Sequence, residues 1–175
     1  MPHEFDGKKY EQASAHQKEW GTKLIAELDL EGTERILDLG CGDGTLSAHL
    51  ADLVPNGEVV GIDASRGMIE AAPSKVRANL RFLLMDINDL NHVEQFDVVF
   101  SNATLHWIKD HQRLLRNVDR ALVRGGRPAS TSRERETART FSLSFGKPWQ
   151  PRNSQSILRD SIGHGICLLL RSTRP

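Results

Sequence analysis

The first feature of this chain with a chemical use is a glycine-rich loop. It alternates three glycines with a thiol and an acid: Gly40, Cys41, Gly42, Asp43 and Gly44. Glycine tolerates φ > 0 and lets a ligand approach the backbone without a Cβ in the way. The apolar run Ile36–Leu39 before the loop predicts a buried strand, and the helical spacing over 45–53 predicts a helix. This order presents backbone N–H groups and a helix N-terminus to a ligand.

A second acidic residue, Asp63, ends the next apolar run and lies 19 residues after Gly44. An acid about 20 residues beyond a glycine loop reaches a ribose hydroxyl in nucleotide-binding βαβ units. The glycines run G-x-G-x-G, which is not the G-x-G-x-x-G dinucleotide pattern, and no Lys-Ser/Thr pair follows them. The loop therefore does not indicate a pyrophosphate cradle.

The stretch from Ile36 to Thr45 resembles motif I of the class I S-adenosylmethionine (SAM)-dependent methyltransferases, and Asp63 resembles the acid that ends their second strand. Within that superfamily the chain is similar to the small-molecule enzymes related to trans-aconitate methyltransferase. The similarity covers about 5–127. Three further stretches carry it: the N-terminal pattern Y-x-x-x-S-x-x-Q-x-x-W-G over 10–21, the strand end Met85-Asp86-Ile87, and the run FDVVFSNATLHW over 96–107.

The resemblance implies a Rossmann-like, doubly wound α/β fold with a mostly parallel sheet, and transfer of the SAM methyl group to a small-molecule acceptor, leaving S-adenosylhomocysteine. It also implies the site. Residues expected to hold the cofactor are Gln17, Asp38, Gly40, Cys41, Gly42, Asp43, Gly44, Asp63, Ala64, Met68, Asp86, Ile87 and Asn102. Asp63 would accept both ribose hydroxyls, Asp86 and Ile87 would frame the adenine, and Asn102, Ala103 and His106 would face the methyl group.

Several of these residues also have a plainly structural interpretation. Met68 fits a helix core, and Asp86 fits an N-cap. The spacing of Tyr10, Gln17 and Trp20 fits the packing face of an amphipathic helix over 8–28 as well as a lid on the cofactor. Cys41 fits a reduced packing thiol, and Trp107 a packing anchor. His106 could act as a general base, because histidine titrates near neutrality.

Length and composition limit the other classes of protein to which the chain could belong. A chain of 175 residues with balanced charge suits one domain, and the seven histidines form no ligand cluster, so no metal is expected. No apolar run approaches the ~20 residues of a membrane span, and two cysteines give no disulfide framework. We therefore expect a cytoplasmic protein without a membrane or nucleic-acid partner.

The resemblance stops after Arg127. Residues 127–175 carry nine Lys/Arg against three Asp/Glu and twelve Ser/Thr, and no apolar residue larger than alanine follows Arg127 before Phe141. Pro128 stands where a fifth strand would start, so 128–175 predicts an atypical, poorly ordered or truncated tail after a methyltransferase core over 1–127. One allowed codon choice for 128–149, read two bases on, translates as CVNFKGAGNCQNFLSVVREAM, which resembles the family's continuation. We therefore hypothesise a shifted reading frame near Arg127.

Three alternative functions stay open. The irregular tail favours a SAM-binding remnant that is catalytically impaired for want of a complete substrate site. A nicotinamide-dependent reductase fits Asp63 but not the glycine spacing, and no Tyr-x-x-x-Lys pair follows. Nucleic-acid binding by the basic tail is disfavoured, because its arginines are interleaved with glutamates and lack an aromatic platform.

Overall fold

A computed structural model of the chain describes residues 7–132 and 166–169. Its four helices are α1 (Gly7–Ala26), α2 (Thr45–Leu53), α3 (Arg66–Ala71) and α4 (His111–Ala121). Its strands are β1 (Arg35–Leu39), β2 (Glu58–Asp63), β3 (Leu80–Leu84), β4 (Phe96–Asn102), β5 (Leu122–Ser132) and β6 (Ile166–Leu169). Short 3-10 turns span Pro73–Lys75, Ile87–Asp89 and Leu105–Trp107.

The strands form one sheet in the order β3-β2-β1-β4-β5-β6. The pairs from β3 across to β5 are parallel, and β6 is antiparallel to β5. The chain order reverses between β1 and β4, so the carboxyl ends of these two strands flank the crevice where open α/β sheets bind ligands. The fold is the expected Rossmann-like, doubly wound α/β fold with a mostly parallel sheet.

Alternating strand residues bury both faces of the sheet. Ile36 packs in a cluster with Leu24 of α1 and Leu50 of α2, while Leu37 packs in a second cluster with Leu114 of α4. The near-continuous apolar runs of β1 and β4 are those of strands covered on both sides. The two layers of helices thereby fix the strand ends that carry the polar residues of the glycine loop.

Residues 127–132 correct the expectation of a poor strand. Val98 to Asn102 of β4 pair in register with Arg127 to Thr131. The small side chains of Ala129, Ser130 and Thr131 are buried between strands on both sides. Pro128 lies opposite Val99, one residue before the segment that pairs with β6. Pairing with two neighbouring strands thus outweighs the low strand propensity of this segment.

Two smaller expectations also change. The helical spacing over 45–53 predicts Leu46, Leu50 and Leu53 on one face of α2, but Leu53 is 41% exposed, because the helix ends there. Gly125 and Gly126 follow the helical pattern of α4 and predict a glycine C-cap, but the helix ends at Ala121 and Leu122 continues directly into β5. The atypical tail predicted over 128–175 lies mostly outside the described residues. Among the described residues, no helix has both the length and the apolar character needed to cross a membrane.

Candidate functional site

The glycine loop is bound to the end of β2. The backbone N–H groups of Gly40 and Cys41 donate to the carbonyl of Ile62 over 2.8 and 3.0 Å. Asp63 accepts the N–H of Gly42 with Oδ2 at 2.9 Å and the N–H of Ser65 with Oδ1 at 2.8 Å. The structure therefore brings together the loop and the acid that the sequence singled out 19 residues further on.

Most backbone N–H groups of the loop donate hydrogen bonds within the protein. Five are bonded within the protein: those of Gly40, Cys41, Gly42, Gly44 and Thr45. A pyrophosphate cradle needs such groups directed at the ligand. This loop instead presents carboxylates, from Asp43 and Asp63, at the carboxyl edge of the sheet. Its electrostatics favour a ligand with positive charge and hydroxyl donors over a diphosphate.

Gly40 is one of two loop positions, with Gly44, at which a Cβ would overlap a neighbouring side chain. Its φ is +73°, and a Cβ there would overlap the Thr104 side chain. The Thr104 hydroxyl lies 3.3 Å from the Gly40 carbonyl oxygen and 3.1 Å from that of Asn102. Glycine at this position therefore lets the turn after β4 lie directly against the loop.

Asp38 lies beneath the loop rather than at its surface. It is 2% exposed, and its Oδ2 accepts a 2.6 Å hydrogen bond from the Ser47 hydroxyl on α2. Burial raises the pKa of Asp38 to about 7, the Ser47 hydrogen bond opposes this rise, and the charge of Asp63 adds to it. Asp38 thus ties β1 to α2 and keeps its proton to a higher pH than an ordinary carboxyl does.

Cys41 fits the packing interpretation. Burial, followed by the neighbouring carboxylates of Asp38 and Asp63, raises the pKa of its thiol well above the ordinary value. A thiol in that state is a poor nucleophile at neutral pH, because the thiolate is the reactive form. The cysteine thus fills space behind the loop.

Asp43 is the half-buried acid of the loop and contacts two lysines. Its Oδ2 lies 3.0 Å from Lys18 Nζ of α1, and its Oδ1 accepts the N–H of Thr45 at 3.1 Å. Lys75 Nζ donates to the Asp43 backbone carbonyl over 2.8 Å. Partial burial acts to raise the pKa of Asp43, but the hydrogen bonds from Lys18 and Thr45 outweigh it and hold the pKa below its usual value.

Asn102 connects three elements at the end of β4. Its Nδ2 donates to the Gln17 carbonyl of α1 over 3.0 Å, and its Oδ1 accepts the Thr131 hydroxyl of β5 at 2.6 Å. The next residue, Ala103, has φ +54°, and its N–H donates to the Thr131 carbonyl. A left-handed non-glycine residue at a ligand-binding strand end is typical of a functional turn.

Helix α1 both packs on the core and lies over the site. Leu24 and Ile25 are buried in the core. At Gly21 the helix approaches so closely that a Cβ would overlap Leu46 and come within 3.1 Å of Asn102 Cγ. The helix therefore packs on the core, and its role as a lid on the cofactor stays a prediction. The side chain of Tyr10 lies outside those described.

The remaining predicted residues lie around the rim. Ala64 is exposed, and Met68 is half-buried on α3, a helix with no fully buried residue. Asp86 is exposed and caps the following turn by accepting the N–H of Asn88 at 2.7 Å. The side chain of Ile87 is 5% exposed and packs in the core, so it does not line the crevice.

The turn after β4 carries an aromatic pair. Leu105 is buried and anchors the turn, and the ring of His106 lies 5.0 Å from that of Trp107 at a 40° tilt. Trp107 is 61% exposed, which corrects the expectation of a packing anchor. The turn thus presents a large aromatic surface to solvent beside the crevice.

Four side chains that support the site were not predicted from sequence: Lys18, Ser47, Thr104 and Thr131. Only Lys18 had a usable signal, since it adjoins Gln17 on a helix already placed over the crevice. The three hydroxyl residues act through partners 9 to 64 positions away in the chain, and no local pattern reveals such pairs.

The chain is similar in sequence to several known proteins. Residues 36–126 match the family model described as a methyltransferase domain. A malonyl-[acyl-carrier protein] O-methyltransferase of Bacillus anthracis is 31% identical over 88% of this chain and 58% of its own length. A trans-aconitate 2-methyltransferase of Deinococcus radiodurans is 41% identical over 53% of this chain and 35% of its own length.

The fold is also similar to that of a solved methyltransferase structure. The phosphoethanolamine N-methyltransferase 2 of Haemonchus contortus, in complex with phosphomonomethylethanolamine and S-adenosylhomocysteine, superposes with a TM-score of 0.61 at 27% identity. The match covers 65% of this chain and 28% of that one. The matches therefore span 58%, 35% and 28% of the lengths of these three proteins, less than two thirds in each case.

Proposed function

We propose that this chain, which belongs to the methyltransferase domain family, binds SAM and transfers its methyl group to a small-molecule acceptor. The observation that carries the proposal is the hydrogen bond from Gly42 N to Asp63, which places a carboxylate against a glycine loop most of whose own N–H groups are already bonded. That arrangement suits a cationic nucleoside and disfavours a dinucleotide. Relatives named as methyltransferases support the same reaction.

The carboxyl edge of the sheet offers matching partners for such a ligand. Asp63 uses each carboxylate oxygen once, and each oxygen has a second lone pair for a ribose hydroxyl. Asp43 provides an acceptor for the methionyl ammonium, with the glycines Gly40, Gly42 and Gly44 lying along the methionine and ribose. Ala64, Met68 and Asp86 would border the adenosine from the rim. Ile87 would contribute through its backbone alone, because its side chain is in the core.

Catalysis then depends on positioning. When bound, the sulfonium of SAM supplies an activated methyl group for in-line displacement by a nucleophile. The residues of this chain hold the two reactants in near-attack geometry, which can account for most of such a rate enhancement. Asn102, Ala103 and His106 would border the reacting methyl, and α1 would exclude water through its contact at Gln17. His106 could accept a proton from an acceptor that carries one.

The experiment is calorimetric titration of the 175-residue chain with SAM and with S-adenosylhomocysteine. Asp63→Asn keeps one oxygen acceptor and should weaken binding, and Asp63→Ala should weaken it further. Asp52→Asn is the matched control, because Asp52 is an exposed acid at the far end of α2. A folded wild-type chain that binds neither compound would refute the proposal.

The acceptor can be tested once binding is shown. The two curated relatives are named for a malonyl thioester and for trans-aconitate, both of which carry carboxylates. Carboxylic acids are therefore the first acceptors to try, with formation of S-adenosylhomocysteine as the readout.

We also propose a cytoplasmic location, supported by the free buried thiol of Cys41.

A further inference from the structure

The methionine end of SAM poses an electrostatic problem at this loop. It carries an ammonium and a carboxylate, and three acidic residues surround the loop: Asp38, Asp43 and Asp63. Asp43 and Asp63 suit the ammonium and the ribose hydroxyls. The ligand carboxylate, by contrast, would be repelled by them unless a cation lay beside it, because like charges a few ångströms apart disfavour each other.

Two lysines among the described residues contact the loop at Asp43, from different elements. Lys75 follows α3 and donates to the backbone carbonyl of Asp43. Lys18 projects from α1 and contacts the Asp43 carboxylate. The neighbouring residue Gln17 accepts from Asn102 at the end of β4, so α1 and Lys18 lie over the β1–β4 crevice, where ligands enter this type of sheet.

The Lys18–Asp43 pair is suited to taking up a third group. Both side chains are about 40% exposed, at 42% and 38%, and ion pairs of that exposure contribute little to stability. An ammonium has three N–H donors, and the 3.0 Å contact with Asp43 requires one of them. Lys18 can therefore contact Asp43 and a ligand carboxylate at the same time. Its ammonium would then lie between the two negative charges and reduce their repulsion.

We propose that Lys18 is a binding residue for the methionyl carboxylate of SAM. The assignment rests on the proposed function above. It gives α1 a chemical role beyond packing: the helix that Asn102 contacts at the crevice also supplies a cation that contacts the loop. It also accounts for the polar face of α1, where Gln17 and Lys18 lie next to Gly21 and the closest approach of the helix to β4.

The test compares SAM with decarboxylated SAM, which keeps the sulfonium and the amine but lacks the carboxylate. Affinities are measured calorimetrically for the wild type, Lys18→Met and Lys18→Arg. Lys18→Met should weaken SAM binding about 10-fold or more, as expected for loss of a charge-assisted hydrogen bond, and should change the affinity for decarboxylated SAM less than about 2-fold. Lys18→Arg should restore most of the SAM affinity.

Two further variants sharpen the result. Lys23→Met removes an exposed lysine of the same helix, paired with Glu19, and should leave both affinities unchanged. Lys75→Met tests the other lysine at Asp43. A SAM-specific loss in Lys75→Met without one in Lys18→Met would overturn the assignment and give the role to Lys75.

The outcomes separate this assignment from the proposed function. Equal losses for both ligands in a folded Lys18→Met chain would mean that Lys18 only supports Asp43 and α1, and would overturn the assignment alone. Unchanged affinity for both ligands would do the same. A folded wild-type chain that binds neither ligand would overturn the proposed function and this assignment with it. Thermal melts of each variant establish that it is folded.

Discussion

The hydroxyl of Thr131 donates a 2.6 Å hydrogen bond to Oδ1 of Asn102. The contact joins β5 to the end of β4 and fixes the orientation of the Asn102 amide. The amide nitrogen then faces the Gln17 carbonyl, 3.0 Å away on α1. A single hydroxyl on β5 therefore orients the side chain that bonds α1 at Gln17.

We expect Thr131→Val to loosen α1. The substitution keeps the shape of the side chain but leaves Oδ1 of Asn102 without its donor, which costs about 1–2 kcal/mol of unfolding free energy. Urea unfolding measures that loss, and hydrogen exchange should increase over 17–26. Thr131→Ser retains the hydroxyl and should behave as the wild type. Unchanged exchange over α1 in Thr131→Val would show that the network does not hold the helix.

Gly40→Ala should be strongly destabilising. The residue has φ +73°, and a Cβ would overlap Thr104, so both backbone strain and steric overlap oppose the change. A loss of about 2 kcal/mol or more is expected, since left-handed backbone alone costs an alanine about 1–2 kcal/mol. Gly67→Ala is the control. Its Cβ would meet nothing within 4 Å on α3, and it should be neutral or slightly stabilising. Equal melting temperatures for the two variants would contradict this account.

Much of the fold could be predicted from sequence because its signals are local. The apolar runs before Gly40 and up to Asp63 are long enough for buried strands, and the observed β1 and β2 lie there. The alternation of strand and helix then favours a parallel sheet. The partnership of the loop with Asp63 follows as well, because carboxyl ends of neighbouring parallel strands meet at one edge.

The sequence predictions that were wrong concern features set by tertiary contacts. β5 contains Pro128 and several small polar residues, which argue against a strand, yet β4 and β6 pair with it on either side. Trp107 looks like a core residue by type, but its turn leaves it largely exposed. The exposure of Trp107 and the pairing of Thr131 with Asn102 both depend on which elements come together, and residue type alone does not encode this.

Asp38 should make the chain less stable as the pH rises from about 4 to 7. Burial raises the pKa of this carboxyl from 3.8 to about 7, so the native chain keeps a proton that the unfolded chain has lost in that range. The free energy of unfolding then falls by up to about 4 kcal/mol through this group and levels off above pH 7. Urea unfolding of the wild type and of Asp38→Asn, at several pH values, isolates the contribution. A difference between the two that is independent of pH would refute it.

The last prediction concerns the gene. We propose that its reading frame shifts near Arg127, where Ser/Thr-rich, basic sequence replaces the apolar pattern expected of the family. The match to the Bacillus anthracis relative covers 88% of the chain and therefore extends past Arg127, so the tail can be compared directly with a homologue. We expect the DNA read two bases on after this codon to encode the segment CVNFKGAGNCQNFLSVVREAM.

A strand, a glycine turn and an amphipathic helix would then follow β4, and the chain with the restored frame should melt at a higher temperature because its last strands would bury more apolar surface. The comparison needs only the two chains expressed in parallel. Genomic DNA without such a segment, or close homologues that share the present tail, would rule out the shift. The residues 128–132 would then be a true, if polar, central strand, and the support that Thr131 gives to Asn102 would be a native feature of the site.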